Sequence, residues 1–343
     1  MPVEPRSLKR LGFLHIAPFS ADDPGTGLRD AIDLFRYAEF LGFDSGWLRT
    51  RHMQYGVTAP GVMLGALSQA TERIQLGNAV IPMEFENPLS LAEDLGVADL
   101  LSGGRLRPGL SVHPPSFDDD VKDVVFGPGW RYEDYGYDRI HRLVSLLRGE
   151  KVRDLGEYQG FGGDFDSETV QPLSPGLTDR LSYGAGSLRS ARWAGQSGLG
   201  LLVSNIGSTE NGIRDFDEAQ AAVIREYRSA LAEGRSGLAA QARVVVPTDE
   251  TSPEQKVRYE EYVARRTPRT AKILGEKTII APDRIGSTEE IVEGLLGDPS
   301  FNLVDEFIVE LPFELEPSDW RHILEQCANR IGPALGWRPA GER

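Results

Sequence analysis

Apolar and polar positions run in blocks along nearly the whole chain, and the blocks change period as they go. RLGFLHIA over 10–17 is a compact apolar run of strand length. After a polar loop over 19–27, Leu28, Ala31, Ile32, Phe35, Ala38 and Leu41 recur at helical spacing, and Gly42 stops the helix. The same succession then repeats. Further strands are predicted over 45–49, 73–82, 105–112, 181–185, 199–204, 243–246 and 306–311. Further helices are predicted over 62–70, 87–101, 135–147, 188–196, 213–232, 288–296 and 317–331. Pro108 inside the fourth strand suggests a bulge or an early start.

Eight strands, each followed by a helix, define a parallel sheet with crossover helices. In one chain of 343 residues this suggests a closed (β/α)8 TIM barrel, with long insertions after strands four and seven. An open doubly wound sheet is the alternative. The evenness of the alternation, and the lack of a glycine fingerprint after the first strand, favour the barrel. The expected organisation is one domain over 1–343. Residues 113–134 read as a polar loop, 149–178 as Gly-rich and irregular, and 247–285 as a charged excursion without a clear apolar face that could lie over the mouth.

In a barrel, function sits at the C-terminal ends of the strands. That singles out His15, the 50–52 loop, 79–83, 111–113, 184–190, 204–206 and the loop after Val246. His52 follows a strand end, beside Arg51, and is a candidate general base or hydrogen-bond partner. Phe13, His15, Phe19, Met53, Tyr55 and Phe85 are expected to give the mouth an aromatic, apolar lining, and hence a small hydrophobic substrate. LSYGAGSLRSARWAGQSGLGLLVS over 181–204 reads as strand, glycine turn, helix start and strand. Ser187 there is either an ordinary helix N-cap or, with Gly184, Gly186 and Ser190, part of an anion site at the helix end.

Composition narrows the classes. A formal charge of −15 argues against a nucleic-acid partner. A single cysteine, Cys327, excludes an intramolecular disulfide and a cysteine metal cluster. The first residues show no cleavage signal, and no apolar run reaches membrane-spanning length, so a cytoplasmic protein is expected. No His/Asp/Glu grouping has metal-ligand spacing.

Five stretches in order carry a resemblance over nearly the whole chain: AEFLGFDSGWLRTRH (38–52), ATERIQLGNAVIP (70–82), NPLSLAEDLGVADLLSGGRL (87–106), GAGSLRSARWAGQSGLGLLVS (184–204) and VDEFIVELPFE (304–314). Together they resemble the bacterial-luciferase-like flavin-dependent monooxygenases and their F420-dependent relatives. The resemblance implies a monooxygenase that takes reduced FMN from a separate, transient flavin reductase. It would use dioxygen to oxygenate a small hydrophobic substrate through a flavin C4a-peroxide. F420-dependent hydride transfer is the alternative, and a non-catalytic flavin-binding barrel a second one.

By position, the resemblance implies a flavin phosphate on Ser187 and Ser190 beside Gly184 and Gly186. It implies the flavin ring against a strand-three bulge with a non-prolyl cis peptide at Ala79–Val80, with Ser111 nearby. It implies His52 as the catalytic residue, with His15, Phe19, Met53 and Tyr55 toward substrate. The family often has Glu-His-His where this chain has Thr50-Arg51-His52, and Val112 stands where relatives carry a phosphate-binding arginine. The family's dimer face corresponds to helices over 58–71 and 87–101.

Overall fold

In the computed structural model, which describes residues 7–156, 166–210, 212–270, 272–275 and 277–342, the eight expected strands form the barrel. They are β1 Arg10–His15, β2 Ser45–Leu48, β3 Gln75–Pro82, β4 Leu106–Ser111, β5 Ser182–Gly184, β6 Gly200–Val203, β7 Ala239–Pro247 and β8 Glu306–Glu310. All neighbouring pairs are parallel, and β6 pairs with β7 while β8 pairs with β1, which closes the sheet. The strands are shorter than the apolar runs that signal them, except β7, which begins at Ala239 rather than 243.

Crossover helices cover the outside: α1 Pro24–Phe40, α2 Pro60–Ala70, α3 Pro88–Ser102, then α4 Asp119–Phe126 and α5 Asp138–Leu147 after β4. They continue with α6 Leu188–Gln196, α7 Phe216–Ala230, α8 Pro253–Arg266, α9 Thr288–Leu296 and α10 Pro317–Gln326. Two of these correct the reading of the insertions. The 113–134 stretch contains α4 and a 3-10 turn at Pro128–Tyr132. The 247–285 stretch contains the fourteen-residue α8, started by a Ser252/Gln255 capping box and buried along Tyr259 and Tyr262. Arg258 grips Asp319 at 2.7 and 2.8 Å, and Arg266 grips Asp283 at 2.9 Å. The apolar face is two tyrosines wide, which hid it among the charges. Residues 149–156 and 166–178 are mostly irregular, as expected; 157–165 of that insertion lie outside the described residues. A small antiparallel sheet joins Ile206–Ser208, Thr278–Ile280 and Ile273–Leu274 beside the mouth.

Period two decides what faces the axis. On β8 Glu306, Ile308 and Glu310 share one face; on β2 Ser45, Trp47 and the following Arg49 do. At the N-terminal end Glu306 is fully buried and bonds Arg107, Ser45, Arg10 (3.2 Å) and the Trp47 indole (3.0 Å). Room for this plug comes from missing side chains. A Cβ on Gly12 would fall 2.3 Å from Ser45 Oγ, and one on Gly77 would fall 2.2 Å from the Trp47 ring. Above it Leu14, Trp47, Leu202, Ala240, Ala242 and Ile308 form an apolar layer inside the barrel. The larger core lies between strands and helices. Among the described residues no helix is long and apolar enough to cross a membrane.

The Glu306 plug is testable. Burial alone would raise its pKa, but Arg107 and Arg10 hold it at about 2, below the ordinary 4.5. Its stabilisation is therefore present above 4.5 and is lost as pH falls toward 2. Glu306→Ala should cost about 3–5 kcal/mol in denaturant melts at neutral pH, because it strands buried guanidinium. Glu306→Gln should flatten the acid limb of the stability curve. A Glu306→Ala variant within about 1 kcal/mol of the parent contradicts this arrangement.

Candidate functional site

At the C-terminal end the barrel opens into a cavity of about 420 Å³. Its floor is the apolar layer: Leu14, Leu202, Ala242 and Ile308, with Ala79 and Val80 at one side. The β3 pleat breaks here. The Ala79–Val80 peptide is cis, the pairing with β4 skips from Asn78 to Ile81, and two consecutive side chains face the cavity instead of one. Gly184 lies directly against Val80, where a Cβ would come within 2.8 Å of Val80 Cγ1. Ser111, at the top of β4, and Gly186 also line the space.

The rim is polar and charged. Arg49 is 3.3 Å from Glu310. Thr50, Arg51, His52, Glu84, Ser204 and Asn205 complete it. His52 lies flat on Phe85, with ring centroids 4.0 Å apart and planes 26° apart. Its Nε2 is buried without a partner, and burial lowers its pKa. Glu84, in the turn Met83–Phe85, has a buried Oε2 without a partner, and burial raises its pKa. Burial thus shifts both groups toward their neutral forms, and both border one cavity. Phe85 also meets Phe117 and Phe126, at 5.8 and 5.3 Å between centroids, so the segment after β4 walls the cavity.

Several expected residues stand elsewhere. Phe13 and His15 are one step out of phase with Leu14 and point outward. Phe13 packs on Phe35 and Phe43. His15 is fully buried against Trp320 at 4.4 Å, accepts the Ala17 N–H at Nδ1, and is held at a pKa of about 3 by burial. Met53 and Tyr55 are 70% and 66% exposed, Phe19 packs on Tyr55, and none of the three lines the cavity. No described residue of 247–285 lines it either.

The start of α6 shows the ordinary cap. Ser187 Oγ accepts the Ser190 N–H, Ser190 Oγ accepts the Ser187 N–H, and the hydroxyls are 2.8 Å apart. Neither serine lines the cavity. Moreover, Glu210 accepts the Leu188 N–H at 3.2 Å, so a carboxylate of the chain itself already stands at the positive helix end. Val112 packs against the core and supplies no charge.

Arg49, Glu84, Phe117 and Glu310 were not singled out from sequence. Arg49 and Glu310 were findable: each shares the phase of an interior residue on its strand. Phe117 lies in an insertion and gives no such signal.

An eight-stranded α/β barrel with a dry floor and a polar rim at its C-terminal mouth has the layout of a barrel enzyme. Residues 9–297 match the family model of the luciferase-like monooxygenases, and the chain belongs to that family. It is 31% identical over 127 residues to limonene 1,2-monooxygenase of Rhodococcus erythropolis, a match covering 36% of this chain and 32% of that one. Matches to the first curated relatives thus span about a third of their length. The fold is shared with the FMN-bound oxygenating constituent of 3,6-diketocamphane monooxygenase from Pseudomonas putida, at TM-score 0.67 and 14% identity over 95% of this chain and 98% of that one. It is shared too with the F420-dependent tetrahydromethanopterin reductase of Methanopyrus kandleri, at TM-score 0.58 and 18% identity over 95% and 99%.

The His52 environment gives a direct check. Its ring protons, followed by NMR, should titrate below the ordinary 6.5. Phe85→Ala should admit water and move the titration back up toward that value. An unshifted histidine in the parent, or no response to Phe85→Ala, contradicts burial by this stack.

Proposed function

We propose that the chain is a flavin-dependent monooxygenase. It takes reduced FMN from a separate reductase and uses dioxygen to oxygenate a small organic substrate at the C-terminal mouth. One observation carries this reading: adjacent Ala79 and Val80 both face an apolar floor, which gives a flat, dry seat for a planar ring. Reduced FMN, when bound, supplies the electrons that activate dioxygen. The chain supplies the surroundings. Leu14, Leu202, Ala242 and Ile308 exclude water from below, and Phe85 and Phe117 from the side. Ser111, Gly184 and Gly186 border the seat without crowding it. His52 offers Nε2 as a proton acceptor, and Glu84 borders the same space as a second group able to move a proton.

The ring end fits the residues present. The phosphate end fits Ser187 and Ser190 only when Glu210 gives up the Leu188 N–H, so affinity for FMN is expected to be weak. The second reading, F420-dependent hydride transfer, rests on the shared fold of the F420-dependent reductase. We further propose a cytoplasmic homodimer. Val62 on α2 and Val97, Leu100 and Leu101 on α3 are exposed apolar residues on two helices that pack together, a face of the kind a second copy covers.

The test is a titration with photoreduced FMN, and in parallel with reduced F420, followed by admission of oxygen. Saturable FMN binding and oxygen consumption slower than that of free reduced FMN are expected. Preference for F420 selects hydride transfer; FMN binding with no effect on its oxidation selects a flavin-binding barrel. The same protein should sediment as a dimer, and a monomer removes that part of the reading.

A further inference from the structure

The rim of the cavity carries a guanidinium without a partner. Arg49 follows β2 on the face of Ser45 and Trp47, and Arg51 comes two residues later. Both line the cavity. Of the two carboxyl groups that also line it, Glu310 lies 3.3 Å from Arg49, and Glu84 makes no ion pair among the described residues. Arg51 engages its backbone N–H with Val57 O, but its guanidinium makes no hydrogen bond or ion pair among the described residues. Burial lowers the Arg51 pKa, and the neighbouring Arg49 charge adds to this while Glu310 opposes it. Two guanidiniums thus border the mouth, and that of Arg51, on an exposed residue, is unneutralised among the described residues.

Burial lowers the pKa of His52 and raises that of Glu84, so both shift toward their neutral forms. Glu310 itself is biased toward the neutral acid by burial, against Arg49 and Arg266. The unpartnered guanidinium of Arg51 therefore gives the mouth a point at which an anion can be held, beside low-dielectric walls. A planar guanidinium with free N–H groups matches a carboxylate in two-point geometry. The remaining lining, including Leu14, Val80, Phe85, Phe117 and Ile308, suits a hydrocarbon body.

We propose that Arg51, backed by Arg49, binds an anionic headgroup on the substrate, so that the molecule oxidised here is an organic carboxylate with an apolar body. This rests on the monooxygenase reading for the word oxidised, while the binding claim stands apart from it. A neutral hydrocarbon laid over the exposed Arg51 would strip its water and offer no partner in return, at a cost in affinity. The proposal replaces the purely hydrophobic substrate expected from sequence.

The experiment is calorimetric titration of flavin-free protein with anthranilate and octanoate, each beside its methyl ester. At least one acid is expected to bind about tenfold or more tighter than its ester, the value of one charge-assisted pair. Arg51→Gln should abolish that preference by weakening the acid and leaving the ester unchanged, and Arg51→Lys should restore part of it. Acid and ester binding alike, neither acid binding, or equal loss of both in Arg51→Gln overturns the proposal. A second arm compares FMN with riboflavin on both proteins. If Arg51→Gln weakens FMN and not riboflavin, Arg51 serves the cofactor's phosphate and the proposal falls. Because the acid–ester comparison uses flavin-free protein, failure of FMN to bind leaves it intact.

Discussion

Strand alternation inside a closed barrel is the constraint from which the rest follows. Once β8 is paired on both sides, Glu306, Ile308 and Glu310 must all face the axis, and four residues of strand set the two carboxylates about 13 Å apart. The same holds for Ser45, Trp47 and Arg49 on β2. Each strand therefore carries a polar residue at each end and an apolar one between. The lower set closes on itself: Glu306 is saturated by Arg107, Arg10, Ser45 and Trp47, and forms a plug. The upper set is not saturated. Arg49 and Glu310 pair at the rim while Arg51 and the buried polar atoms of His52 and Glu84 have no partner. Function and stability are built from the same pattern at opposite ends.

Between them lies the apolar layer, and β3 departs from the alternation where that layer meets the mouth. Ala79 and Val80 both line one wall, and the missing side chain of Gly184 leaves room for Val80. The site is therefore polarised: an apolar floor below, His52 and Glu84 at the side, Arg49 and Arg51 at the rim. The start of α6 is the place where this chain's residues agree least with a phosphate. Its serines cap the helix and Glu210 occupies the adjoining amide.

Much of this was legible in the chain. Eight apolar runs at regular spacing give the barrel, because a parallel strand buried on both faces is predominantly apolar. The resemblance pointed to Ala79–Val80, and the cis bond and register skip lie there. What sequence reading lost was phase. His15 and Phe13 were assigned to the mouth because they end an apolar run, yet they stand one residue from Leu14 and so face the helices. Arg49 and Glu310, in phase with Trp47 and Ile308, were passed over. α8 was hidden because two tyrosines and two ion pairs, to Asp319 and Asp283, do what a longer apolar stripe usually does. No local pattern could have brought Phe117 to the wall, since that depends on how the 113–134 insertion folds back.

The central claim is that the ring of a reduced flavin sits on the Ala79–Val80 side of this mouth. Amide hydrogen exchange with and without saturating reduced FMN, held anaerobic, tests it most directly. Added protection is predicted over 79–85 and 184–190, with the Glu306 end of the barrel unchanged. Protection confined to other segments, or an exchange pattern unaltered by saturating FMN, would contradict the account.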